Sequence, residues 1–277
     1  MLVSRFMTRR PVTVAPETTI DEAIAIMESR GFRHLPVARG GDVLGMLSDR
    51  DVRLGTGGQK LGPAAASLGL PARVEQLMRA PVICVEESER GPSAAKRMIE
   101  QRIGALPVLG GGRLVGIVTE TNLVAAFRDL CRDPAHADEI DRPCEELMHS
   151  LVITLEPGDT VSDAVERCTD WRIRHVPVLL DEELVGMVSD RDIRLAIGRA
   201  LVADALAAGR GGAPADPVRV ESIMSRELVT VEPHATLSQA VSTMLAARVS
   251  ALPVMLEGML LGIVTRTDVL EHYASVA

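Results

Sequence analysis

The chain has 277 residues, 47% of them hydrophobic, which is enough apolar side chain for one large or several small buried cores. Its formal net charge of −8 argues against a general nucleic-acid binder, and no run approaches the ~18 apolar residues of a membrane span. The four cysteines form no CxxC pair and have no histidine at ligand spacing, so no metal site is expected; the start "MLVSRFMTRRPV" lacks the apolar stretch of a secretory signal, which points to the cytoplasm.

In chain order, "PVTVAP" alternates and is β-branched, so it predicts a short strand ending at proline. In "TTIDEAIAIMESRG" the apolar Ile20, Ala23, Ile24 and Met27 fall at helical spacing, Thr19 and Glu22 form a capping box, and Gly31 suits the stop. "FRHLPVA" and "DVLGMLS" read as two strands joined by a Gly40–Gly41 turn, and "DRDVRLG" opens a second helix. The unit is β-α-β-β-α, an α/β (α+β) pattern.

The pattern occurs four times. Aligned without gaps on Met7, Met78, Met148 and Met224, every copy has an "LP" or "VP" pair 28 positions later, then a glycine at 38, Ser or Thr at 41, and Asp or Asn at 44. Copies one and three share "RHLPV"/"RHVPV" and "SDRD"; copies two and four share "ALPV", with "TETN" and "TRTD". A two-repeat unit has therefore been duplicated. The copies span 1–56, 74–130, 144–198 and 219–275, forming units 1–130 and 144–277, with linkers "GTGGQKLGPAAASLGLPAR", "CRDPAHADEIDRPC" and "GRALVADALAAGRGGAPADPVRV".

A strand, a helix, "h-P-V", then "G-h-h-[ST]-x-x-D" opening a second helix resembles the cystathionine β-synthase (CBS) domain, over nearly the whole chain. Two tandem domains form a Bateman module, so the chain resembles two modules in series. The resemblance implies a sensor without catalysis, whose clefts between paired domains bind an adenosine-containing ligand such as AMP, ADP or ATP, the triphosphate with or without Mg²⁺.

The "SDRD" motif has two readings. Ser48-x-x-Asp51 is a helix capping box, and a first-turn carboxylate complements the helix dipole. The same carboxylate can accept both ribose hydroxyls at a helix start. The resemblance gives the ribose role to Asp51, Asp192 and Asp268, with hydroxyl donors Ser48, Ser189 and Thr265. Asn122, following Thr119, departs from the pattern, so that cleft is expected to be weak; Cys84 on the first strand and Arg90-Gly91-Pro92 at the helix start depart in the same copy.

Arg33, His34, Arg174 and His175 are phosphate candidates by the same resemblance, because guanidinium pairs well with phosphate oxygens and imidazole can add charge near neutral pH. Arg50 and Arg191 are further candidates. Phe32, Ile103, Ile173 and Val249, at the strand starts, are either adenine contacts or core. Thr13, Thr154 and Thr230 recur on the first strands. S-adenosylmethionine, a cyclic dinucleotide and NAD are alternative ligands, and a ligand-free assembly scaffold is the alternative function. No phosphate loop, HExxH or GxSxG supports an enzyme. An effector protein is expected as partner, and the modules could form a flat disc within one chain or in a homodimer.

Overall fold

The computed structural model describes residues 1–56, 72–133, 137–207 and 217–276. Most of the linker readings, and His136, lie outside the described residues.

The first repeat begins with β1 (Thr8–Arg9), followed by α1 (Ile20–Arg30), β2 (His34–Arg39), β3 (Asp42–Ser48) and α2 (Asp49–Thr56). Thr19 caps α1 as expected: its hydroxyl accepts from the Glu22 N–H while the Glu22 carboxylate accepts from the Thr19 N–H at 3.0 Å. The β2–β3 turn needs positive φ twice, which Gly40 and Gly41 supply at 61° and 96°. The second repeat has β4 (Val85–Glu86), α3 (Gly91–Gln101), β5 (Ala105–Gly110), β6 (Arg113–Thr119) and α4 (Glu120–Cys131). Short helices α5 (Ala137–Ile140) and α6 (Cys144–Leu147) lead to α7 (Val161–Asp170), β7 (His175–Leu180), β8 (Glu183–Ser189) and α8 (Asp190–Ala207). The fourth repeat contributes α9 (Leu237–Ala246), β9 (Ala251–Leu256), β10 (Met259–Thr265) and α10 (Arg266–Ser275).

Two elements differ from the sequence expectation. The first strand shrinks to a single parallel bridge in three repeats, Val14 with Val37, Leu155 with Val178 and Val231 with Val254. Only in repeat 2 do two residues pair, Val85 and Glu86 with Val108 and Leu109. The reason is the next residue: Glu87 donates its N–H to Leu109 O at 2.9 Å, where the other copies have Pro16, Pro157 and Pro233, which have no N–H to give. The second difference is α8, which continues through 198–207 of the expected linker, a stretch rich in the helix formers Ala and Leu.

Each repeat's leading segment crosses to the other repeat of its module. Val3, Val74, Cys144 and Val220 are fully buried and donate N–H groups to Glu89, Thr18, Ala235 and Asp159 of the partner repeat at 2.8–2.9 Å. Thr8, Arg79, His149 and Ser225 then pair antiparallel with Ile117, Met46, Ile263 and Met187. This crossing explains two recurrent positions. A Cβ added to Gly116, Gly186 or Gly262 would stand 2.5 Å from the sulfur of Met7, Met224 or Met148, and one on Gly45 would stand 2.8 Å from that of Met78. The glycine of each repeat therefore exists to receive the methionine of its partner.

The two modules face each other within the chain. Helix α2 packs on α8, while α10 packs on α3 and α4, and α4 on α9. Repeats 2 and 4 share one apolar core that includes Met98, Leu106, Phe127, Leu237, Met244 and Tyr273. Repeats 1 and 3 keep separate cores around Leu35 and Leu47 and around Leu155 and Val176. Gly91 belongs to the shared interface: a Cβ there would collide with the Tyr273 hydroxyl. The departure at Arg90-Gly91-Pro92 thus replaces a side-chain cap with room for a ring from the other module.

Candidate functional site

The site is assembled where strand starts meet helix starts. His34 pairs with Ser48 across β2–β3, and the Asp49 N–H donates to Arg33 O at 2.8 Å. The same link joins Asp190 to Arg174 (2.8 Å), Glu120 to Gly104 (3.0 Å) and Arg266 to Ser250 (3.0 Å). The backbone thereby brings the Phe32–His34 and Ser48–Asp51 stretches together, and likewise their counterparts.

All four S/T-x-x-D/N motifs form caps. Asp51 Oδ2 accepts from the Ser48 N–H at 3.2 Å and from its hydroxyl, and Asp192 Oδ2 accepts from Ser189 N–H and Oγ–H at 3.0 and 2.5 Å. Asp268 Oδ2 accepts from the Thr265 N–H at 2.6 Å. Asn122 does the same with its single oxygen, at 2.9 Å from Thr119 N and 2.7 Å from Oγ1. Capping therefore uses one side-chain oxygen in every repeat, and what the remaining atom faces distinguishes the clefts.

The two residues inside each motif serve another purpose. Arg50 Nε lies 3.4 Å from Asp190 and Arg191 Nε lies 3.3 Å from Asp49, a reciprocal pair of inter-module contacts. Arg53 and Arg194 hold the same two aspartates from one turn further along their helices. In repeats 2 and 4 the corresponding contact is Arg266 Nη1 to Thr121 Oγ1 at 2.9 Å, with Arg174 beside it, 3.5 Å from Glu120 and 2.9 Å from Thr267. Arg50 and Arg191 thus have acidic partners that the sequence did not reveal.

Arg266 was not among the sequence candidates. It is buried, burial pushes its guanidinium down to about 10, and its Nε, like that of Arg50, has no hydrogen-bond partner among the described residues. A basic residue at a position that is acidic in the other three copies was the available signal. Arg33 is exposed at its strand start, and the Arg174 side chain is 43% exposed while it contacts Glu120 and Thr267. His34 and His175 do not add charge as expected: burial pushes each imidazole down to about 4, with Arg33 or Arg174 adding to the effect, so both are neutral at pH 7. His175 instead meets Ser250 Oγ at 2.9 Å. Ile103 and Val249 pack on the shared core and Ile173 on the third core, whereas Phe32 is exposed. Thr13 lines a shallow groove with Glu22 and Ala25, which Asp51 does not border.

A family model for the CBS domain matches residues 3–54, 74–129, 144–199 and 220–275. The chain belongs to the CBS-domain family. As the fold and duplication indicate, its four CBS domains form two Bateman modules. It is 26% identical over 279 residues to the uncharacterized protein MJ1225 of Methanocaldococcus jannaschii, covering 96% of each chain. It is also 30% identical to an uncharacterized 33.4 kDa protein of Thermofilum pendens, covering 96% of this chain and 89% of that one. The crystal structure of MJ1225 superposes with a TM-score of 0.74 over 99% of this chain and 100% of that one, at 23% identity. Among the described residues, no helix of this CBS-domain protein is long and apolar enough to cross a membrane.

Proposed function

We propose that this chain is a stand-alone regulatory sensor that binds an adenine nucleotide in the clefts of its Bateman modules and transmits occupancy as a change in conformation or partner binding. The observation that carries the reading is the concentration of guanidinium groups beside first-turn carboxylates. Arg33, Arg50, Arg174, Arg191 and Arg266 surround the inter-module contact; the Nε of Arg266 is buried with no hydrogen-bond partner among the described residues, and that of Arg50 meets only Asp190, at 3.4 Å. A buried, unpaired donor on a cation favours an anion such as phosphate. The carboxylates of Asp51 and Asp192 supply acceptors for the ribose hydroxyls, whereas the Oδ1 of the Asp268 carboxylate, expected to play the same part, is met by His149 at 3.0 Å. S-adenosylmethionine satisfies the carboxylates but leaves the arginines without phosphate, which places AMP, ADP and ATP ahead of it.

A ligand shifts a conformational equilibrium only by its differential affinity for the two states. Phosphate drawn to Arg50 or Arg191 competes with Asp190 and Asp49, so binding acts directly on the contact between modules. Calorimetric titration of the full chain with AMP, ADP, ATP with and without Mg²⁺, and S-adenosylmethionine tests the reading. The Asp51→Ala/Asp192→Ala double variant is expected to lose about ten- to hundredfold in affinity per lost charged interaction. Unchanged affinity would remove the ribose assignment, and no binding by any ligand would leave an assembly scaffold.

A further inference from the structure

We propose that the residue following each crossing methionine selects which cleft accepts a ribose: the Asp192 cleft, opposite Ser225, is open, and the Asp268 cleft is held shut by His149. The proposal rests on the adenosine reading above and deepens it.

The crossing segments enter all four repeats in one register. Thr8, Arg79, His149 and Ser225 stand opposite Ile117, Met46, Ile263 and Met187, each five positions before the ribose residue, Asn122, Asp51, Asp268 or Asp192. In two repeats the side chain at this position meets the carboxylate oxygen that the cap leaves free, His149 at Asp268 and Arg79 at Asp51. In repeat 4, His149 Nε2 lies 3.0 Å from Asp268 Oδ1 while the Thr265 N–H occupies Oδ2. The Asp268 side chain is only 4% exposed, and His149 also faces Glu271 one turn on. A diol must displace the imidazole and leave a buried carboxylate beside a second acid. In repeat 1, Arg79 Nε is 3.3 Å from Asp51 Oδ1, a longer contact to a carboxylate that is 12% exposed against 4% for Asp268; the Arg79 and His149 side chains are themselves exposed to a similar degree, 62% and 67%. In repeat 3, Ser225 is short, both cap bonds fall on Asp192 Oδ2, and Oδ1 carries no hydrogen bond or ion pair among the described residues. An oxygen with its lone pairs free is what a ribose diol requires. In repeat 2, Asn122 has only an amide NH₂ left after capping, which donates rather than accepts.

The test uses the full chain titrated calorimetrically with AMP and with S-adenosylmethionine. The variants are Asp192→Asn, Asp268→Asn, His149→Ser and Ser225→His. Asparagine keeps the cap, as Asn122 does in repeat 2, so loss of folding does not confound loss of binding. Asp192→Asn and Ser225→His are expected to weaken the tightest step about tenfold or more, and Asp268→Asn to leave it within about twofold. His149→Ser is expected to add a binding step that Asp268→Asn removes. A tightest step that survives Asp192→Asn or is lost in Asp268→Asn overturns the ranking, and so does a His149→Ser isotherm identical to the parent's. If neither the parent nor His149→Ser binds either ligand, the adenosine reading itself falls; binding with the wrong site order sinks only the selection by His149 and Ser225.

Discussion

Ser48 to Asp51 divide their work in pairs. The outer Ser48 and Asp51 close the helix cap, and the inner Asp49 and Arg50 reach the opposite module, so one short motif ends a local structure and begins a long-range contact. A similar economy explains Gly91. Its lack of a Cβ admits the Tyr273 ring, whose hydroxyl is buried with no hydrogen-bond partner among the described residues. Gly91→Ala is expected to destabilise the chain by about 1–3 kcal/mol through overpacking. Because the hydroxyl is the nearest atom, the same substitution should cost clearly less in a Tyr273→Phe background. Thermal midpoints of the four chains check this, and equal penalties in both backgrounds would mean that the hydroxyl does not set the constraint.

The crossing segments tie the two repeats of a module together through backbone pairing and a methionine seated over glycine. Two such exchanges per module make each repeat incomplete without its neighbour. Gly116→Ala is expected to cost about 1–3 kcal/mol, since the new methyl meets the Met7 sulfur and the adjoining backbone oxygen of Thr8. In a Met7→Ala background part of that penalty should vanish, giving a coupling of at least about 0.5 kcal/mol in a double-mutant cycle by denaturant unfolding. Strict additivity would show that the sulfur and the glycine do not meet. The same crossing carries His149, Arg79 and Ser225 to their clefts, so the device that builds a module also determines how its sites differ.

The two sides of the inter-module contact differ in kind. Repeats 2 and 4 are joined by a continuous apolar core, which does not respond to an anion; repeats 1 and 3 meet through Asp49, Arg50, Asp190 and Arg191, which do. The molecule thus has an apolar side and a charged side. Its stability also depends on pH. His34 and His175 are held at about 4 against 6.5 for a free imidazole, so the unfolded chain takes up protons in this interval that the folded chain refuses. This contribution does not oppose folding above about pH 6.5, and stability falls as pH drops toward 4, by roughly 2 kcal/mol per histidine after allowing for their partial exposure. The His34→Gln/His175→Gln variant should flatten the thermal midpoint across that interval. A slope equal to the parent's would assign the acid sensitivity to other groups.

The repeat, its local order and the caps were legible in the residues. Helical spacing in α1, the Thr19–Glu22 box, the Gly40–Gly41 turn and the S/T-x-x-D/N motifs all depend on contacts within a few positions, which periodicity records directly. The shortened first strand was also encoded, in Pro16, Pro157 and Pro233, although its meaning emerged only once Glu87 showed the bond they forgo. The partners of Arg50 and Asp268 were not legible. Asp190 lies 140 positions from Arg50 and His149 lies 119 from Asp268, and no local pattern relates such residues. The burial that keeps His34 and His175 neutral was equally hidden, because desolvation is a property of everything packed around a group. Short-range geometry belongs to the sequence; which repeat receives which crossing segment, and hence which carboxylate stays open, belongs to the packed chain, where the free energy of each contact depends on distant surfaces meeting.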